Sequence, residues 1–138
     1  VASVTTEQPI LTIRVKDFFQ GKVNRTHSFP DLFSAGGENS GSKTIQFRIY
    51  YNATLTGPVS YTSVDANTSS MEYDVAATGF TGGAELLDVI TVGGQASQVV
   101  QLPSNAGFHM APGDTLTVTA QSAASSTTVT SLGWIEEI

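Results

Sequence analysis

Cysteine is missing from this chain of 138 residues. Neither a disulfide framework nor a thiolate metal site can therefore be built, and the redox compartment leaves no mark on the sequence. Charge is scarce as well. Charged residues make up 13% of the chain, about half of what soluble domains usually carry. Only 6 are Lys or Arg against 12 Asp or Glu, for a net charge of −6. Phosphate backbones are bound by basic stripes, so nucleic acid is not an expected partner. Arg14, Lys16, Lys22 and Arg25 come nearest to a patch and read as a solvated strand face. No apolar run approaches the roughly 18 residues that a membrane helix needs, so no membrane insertion is expected. No signal peptide is legible, and an opening Val1 in place of Met is expected of a processed or trimmed product. Amphipathic helical periodicity is absent too, and there is a single Trp.

Hydroxyls and alternation fill the gap. There are 15 Ser and 18 Thr, the composition of strands that turn Thr outward and Val or Leu inward. The polar stretch 1–8 reads as an arm, and residues 9–138 as one domain long enough to bury a core. Along that domain Leu11, Ile13 and Val15 alternate with Thr12, Arg14 and Lys16. The strongest strand, over 43–55, sets Ile45, Phe47, Ile49 and Tyr51 against Gln46, Arg48 and Tyr50. Residues 28–33 read as a loop whose two Phe rings dip into the core, and 34–42 as a flexible loop rich in glycine. Val59 to Val64 and 71–76 read as short strands, the second with Met71, Tyr73 and Val75 on one face. Over 84–92 a strand is favoured over a helix, followed by a Gly93-Gly94 hairpin turn and a strand pairing back over 95–102. Ala111-Pro112-Gly113-Asp114 suits a type II turn. Leu116, Val118 and Ala120 then share one strand face, with threonines on the other.

These segments predict an all-β fold: an antiparallel β-sandwich, jelly-roll-like, with about eight or nine strands. An immunoglobulin-like sandwich is the second choice. The lone Trp lies in the last strand and lacks a paired Cys, which argues against it.

Catalytic and metal chemistry find little support. His27 and His109 lack a second ligand at metal spacing, so no metal is expected. Asp65-Ala66-Asn67-Thr68-Ser69 imitates the start of a calcium loop, but Ser70 stands where Gly is needed and Ala76 where a bidentate Glu is needed. A polar turn is the plainer reading. A Ser-His-acid site would need His27 or His109 to converge on a Ser and a carboxylate, and no nucleophile elbow is present. Glu72 with Asp74, Glu85 with Asp88 and Glu136 with Glu137 are paired carboxylates; Glu72 and Asp74, at a period of two on one strand face, read as a solvated edge and not as a sugar-cleaving pair. No catalytic residue, cofactor or enzymatic activity is assigned. The sequons at Asn24, Asn52 and Asn67 are treated as accidental. Tyr50 and Tyr51 must face opposite sides, and Tyr50 is taken as the exposed one. In the last strand Leu132, Trp134 and Glu136 share one face, while Gly133 and Ile135 take the other. A closing strand apolar on both faces suits a subunit interface, so Trp134 or Ile135 is expected at or near one, and Tyr50, as an outward tyrosine able to stack on a sugar or fill an interface, is the further expected contact residue.

The segment Ala111 to Ala120, its Ser-rich continuation and Val129 to Glu136 resemble the close of β domains in virion proteins of tailed bacteriophages. Upstream, Phe47-Arg48-Ile49-Tyr50-Tyr51-Asn52-Ala53-Thr54, Gly82-Gly83 and Gly93-Gly94 extend the likeness, which spans residues 43–138. The resemblance implies a virion structural protein on the particle surface: a homotrimer meeting other virion proteins, in capsid decoration, a head fibre or a receptor-binding tip that reaches a host-surface glycan. A carbohydrate-binding module of a secreted bacterial protein is the alternative.

Overall fold

The structure, a computed structural model, describes residues 7–19, 21–25, 27–38, 44–81, 85–93, 97–101, 110–122 and 127–137. Thirteen strands and no helix occur among these residues, so the fold is all-β. In chain order the strands are β1 (Gln8–Val15), β2 (Phe18–Phe19), β3 (Lys22–Val23), β4 (His27–Glu38), β5 (Thr44–Tyr51), β6 (Thr54–Thr56) and β7 (Thr62–Ser63). They continue as β8 (Met71–Asp74), β9 (Gly79–Thr81), β10 (Glu85–Gly93), β11 (Ser97–Gln101), β12 (Thr115–Ser122) and β13 (Thr127–Glu137).

Pairing is nested. β1 pairs with β12, β4 with β11, β5 with β10 and β6 with β9, all antiparallel, so each pair encloses the next along the chain. A long hairpin rolled in this way is the jelly roll. One sheet runs β10-β5-β12-β1-β8-β7 and the other β11-β4-β13. The strand count exceeds the predicted eight or nine, and one of the nested strands, β4, falls on segments read as loops. β2 and β3 have two residues each, too few for alternation to reveal; of the strand predicted over Val59 to Val64 only the two residues of β7 form, and β8 with β7 extends the larger sheet while β13 extends the smaller.

The core lies between the sheets. Ile13, Val15, Ile45, Phe47, Ile49, Met71, Leu116, Val118 and Ala120 from the larger sheet are buried with Phe33 and Ala35 from β4. Phe33 meets Phe47 edge-on, with ring centroids 6.3 Å apart, the arrangement that the ring quadrupoles favour. The alternation read in β1, β5 and β12 therefore points where expected. The threonine face of β12 does not stay in solvent, because Thr117 and Thr119 are fully buried. Thr12 Oγ1 lies 3.0 Å from Thr117 Oγ1, and Thr119 Oγ1 donates to Glu7. Phe80 of β9 rests on Tyr50, the neighbour of Thr117 across the β5–β12 ladder.

Several local expectations are corrected. Residues 28–38 are strand, not loop, since β4 is the middle of its sheet and takes β13 on one side and β11 on the other. Its Pro30, which has no N–H to give, falls where the β13 register shifts between Gly133 and Trp134, the kind of irregularity that tolerates proline within a sheet. β10 and β11 are not a hairpin but belong to different sheets, so the chain crosses the sandwich between them. The turn residue Gly94 lies outside the described residues. The long strand predicted over 43–55 breaks at Asn52, whose φ of 57° is left-handed, a conformation Asn tolerates better than most residues. Its amide accepts from Thr115 N and its backbone N–H donates to Thr115 O, both at 2.9 Å. β8 stops at Asp74 because that carboxylate accepts from the N–H groups of Ala76 and Ala77 and turns the chain. Val75, predicted to face inward, is left 64% exposed.

Residues 1–6 of the expected arm lie outside the described residues. Gln8 already opens β1. Glu7 is fastened to the larger sheet.

The type II turn forms as read. Asp114 N donates to Ala111 O at 2.9 Å and Gly113 takes φ 90°. Gly113→Ala is expected to cost about 1–2 kcal/mol through that positive φ. Phe47→Ala is expected to cost about 3–5 kcal/mol by opening the core. Urea midpoints at unchanged m check both, and a Phe47→Ala loss below about 1 kcal/mol contradicts the packing described.

Candidate functional site

Of the three expected contact residues, the structure buries two partly and leaves one in solvent. Trp134 packs against the core alongside Leu132, while Ile135, on the opposite face of β13, is 61% exposed. Tyr50 is half-buried on the side of β5 away from the core, and Tyr51 packs on the core. The two tyrosines do face opposite ways. Tyr50 is nevertheless tied down, its OH donating to Glu7 Oε2 at 2.9 Å and its ring resting on Phe80. Burial, followed by the bond to Glu7, raises its pKa. Arg48 reaches Glu7 Oε1 at 2.8 Å, so one carboxylate collects Arg48, Tyr50 and Thr119. The sequence could not bring Glu7, read as part of an arm, to these partners.

Glu136 forms a second cluster. Its Oε1 accepts from Ser70 N and Ser70 Oγ, and its Oε2 from Ser69 Oγ, all at 2.7 Å, and from Trp134 Nε1 at 3.1 Å. Ser69 and Ser70 are buried just ahead of β8 in the larger sheet, whereas Glu136 and Trp134 belong to β13 in the smaller one. The carboxylate therefore fastens one sheet to the other. Its partial burial works against the charge, but the donors outweigh burial and hold the carboxyl below its usual value. The shared face of Leu132, Trp134 and Glu136 is as read.

The loop resembling a calcium site uses its oxygens internally. Asp65 Oδ1 accepts from the N–H groups of Asn67 and Thr68 at 2.8 and 3.0 Å, and those backbone bonds lower its pKa. Lys16 Nζ donates to Ser69 O at 2.9 Å and approaches Asp65 O at 3.4 Å, so an ammonium occupies the carbonyls. Lys16 is buried, at 9% exposure, contrary to the solvated face expected of it. Among the described residues, no group of three or more His, Asp or Glu converges on a metal position. His27 is exposed at the head of β4, and His109 lies outside the described residues. The sequon residue Asn24 is buried and donates its amide to Lys16 O at 2.7 Å, as suits an accidental sequon.

The feature that sequence reading missed lies at the β1–β8 ladder. Arg14 and Glu72 are partners in that register. Arg14 Nε and Nη2 both sit 2.6 Å from Glu72 Oε1, and the guanidinium stacks 3.7 Å from the Tyr61 ring centroid. Glu72 and Asp74 are therefore not a solvated edge. Glu72 is paired, and Asp74 is 2% exposed. In front of the pair, Arg14, Lys16, Asp17, Phe18, Ser63 and Glu72 line a depression of about 270 Å³. Phe18, in the β2–β3 hairpin, is 66% exposed. The period-of-two pattern around Arg14 marked its face of the strand, but the partner strand comes from 58 residues away.

Replacing Glu136 by Gln is expected to cost about 1 kcal/mol, as for a partly buried, hydrogen-bonded charge. The folded carboxyl titrates below its unfolded value of about 4.3. Its contribution is therefore complete above that pH and lost as pH falls through the lower folded value. Urea denaturation at stepped pH should show the wild type losing stability relative to Glu136→Gln in that acid window. Parallel curves contradict the clasp.

Comparison with known proteins yields no matching family model, no matching curated protein and no matching solved structure, so the function of this chain has to be argued from its own side chains and topology.

Proposed function

We propose that this chain is a non-enzymatic structural protein of a tailed-bacteriophage virion. It is displayed on the particle as a homotrimer among other virion proteins, and it acts in capsid decoration and stabilisation or in attachment to the host surface. The likeness of residues 111–120 and 129–136 to virion modules supports this reading. The rolled hairpin is compatible with it, since capsid domains use the jelly roll, although a fold alone does not carry a function.

The observation that carries the reading is β13. It is eleven residues long and stands at the end of its sheet, hydrogen-bonded to β4 on one side. From Thr127 to Trp134 it holds neither a charge nor a proline, the devices that ordinarily blunt a long edge against pairing. Ile135 extends this edge with an exposed apolar side chain. Such a strand is suited to meeting a neighbouring subunit.

A carbohydrate-binding module is the second reading, favoured by the depression beside the exposed Phe18.

Sedimentation equilibrium at micromolar concentration is expected to give a trimer. Ile135→Lys should shift it towards monomer while changing monomer stability by no more than about 0.5 kcal/mol, because the site is exposed. Antibody-labelled electron microscopy should place the protein on intact particles. A wild-type monomer together with no label on the particle overturns the proposal.

A further inference from the structure

We propose that the depression lined by Arg14, Asp17, Phe18, Ser63 and Glu72 binds a neutral sugar ring. This would give the host-surface side of the proposed function a ligand class, and it rests on that reading only for its biological setting.

Three observations point to a polyol. The first is a donor and an acceptor residue on one lining. Arg14 spends Nε and Nη2 on one oxygen of Glu72, and the hydrogen bonds of this pair leave Arg14 Nη1 and Glu72 Oε2 over. A guanidinium N–H and a carboxylate oxygen on one lining are a donor and an acceptor for the hydroxyls of a polyol, each of which can both accept and donate. Ser63 and the Asp17 carboxylate add hydroxyl and acceptor groups on the same lining.

The second is rigidity. Arg14 is held by Glu72 on one side and by the Tyr61 face at 3.7 Å on another, so little side-chain freedom remains to be lost on binding. Burial raises the Tyr61 pKa, which keeps the ring neutral beneath the cation.

The third is an aromatic lip on a charge-balanced site. Phe18 is 66% exposed and offers a flat apolar face to the C–H side of a pyranose. Arg14 and Lys16 balance Asp17 and Glu72, and Lys16 turns its ammonium to the carbonyls of Ser69 and Asp65. An anionic ligand such as phosphate gains nothing from such a lining.

The test is a titration of the full ¹⁵N-labelled chain, followed by amide shifts, separately with D-glucose, D-galactose, D-mannose and N-acetylglucosamine. Inorganic phosphate is the charged control. At least one sugar is expected to give saturable shifts at Arg14, Asp17, Phe18, Ser63 and Glu72, with a dissociation constant on the order of 1 mM. Phe18→Ala, which removes an exposed ring and leaves the core intact, should weaken that binding about tenfold, as should Glu72→Gln. If Glu72→Gln fails to fold, Phe18→Ala decides. No shift with any of the four sugars, an equal response to phosphate, or binding unchanged in Phe18→Ala overturns the site. Sugar binding by a protein absent from particles would leave the site standing and replace the virion reading with the carbohydrate-binding module. A trimer on the particle that ignores all four sugars would do the reverse.

Discussion

The chain has to leave the smaller sheet and enter the middle of the larger one within four residues, and the turn at Ala111, Pro112, Gly113 and Asp114 makes that possible. Met110 exchanges backbone bonds with Ser28 of β4 on one side of the turn, and on the other β12 inserts between β1 and β5. The turn is also bonded to both neighbours. Gly113 N donates to Val15 O, Val15 N donates to Asp114 O, and the hydroxyl of Tyr51 donates to the Asp114 carboxylate. Without the positive φ of Gly113 the chain would miss this register. Leu116, Val118 and Ala120 would then not face Phe33 and Phe47.

Two carboxylates fix what the turn has aimed. Glu136 ties the end of β13 to the serines before β8, joining the two sheets. Glu7 gathers Arg48, Tyr50 and Thr119 on the other side of the larger sheet and holds the start of β1 down. Both use several donors on one partly buried acceptor, which makes a retained charge tolerable in a molecule with few charges. The scarcity of charge thus reflects its use. The Arg14–Glu72 pair differs because it keeps hydrogen-bonding capacity in hand at a depression, beside an exposed aromatic. The β13 edge, unpaired among the described residues, lies in the other sheet. The surfaces proposed for assembly and for a ligand thus fall on different sheets.

Much of the fold was legible in local pattern. The inward faces of β1, β5 and β12 follow from alternation, and the type II turn follows from Pro112 and Gly113. Local pattern failed where a segment's partner lay far away. Residues 34–38 look like a linker because small residues also suit a loop, yet pairing on both sides of β4 makes them strand. Gly93-Gly94 looks like a hairpin turn because nothing local says that β10 and β11 join different sheets. Of the candidate sites, the Trp134 and Glu136 face was visible as a period of two. The Arg14 and Glu72 pair was not, since it depends on β8 crossing to lie beside β1.

Composition by itself determined the class of this protein. A chain without Cys, with few charges, abundant Thr and apolar residues at a period of two folds as antiparallel strands around an apolar layer, because no helix-period face exists to build anything else. Tertiary structure alone decided the nesting order, the edge left to β13, and which polar residues met. Side-chain alternation fixes the face of a strand and never its neighbour, so residues as distant as Glu7 and Thr119 come together only through the closing of the roll.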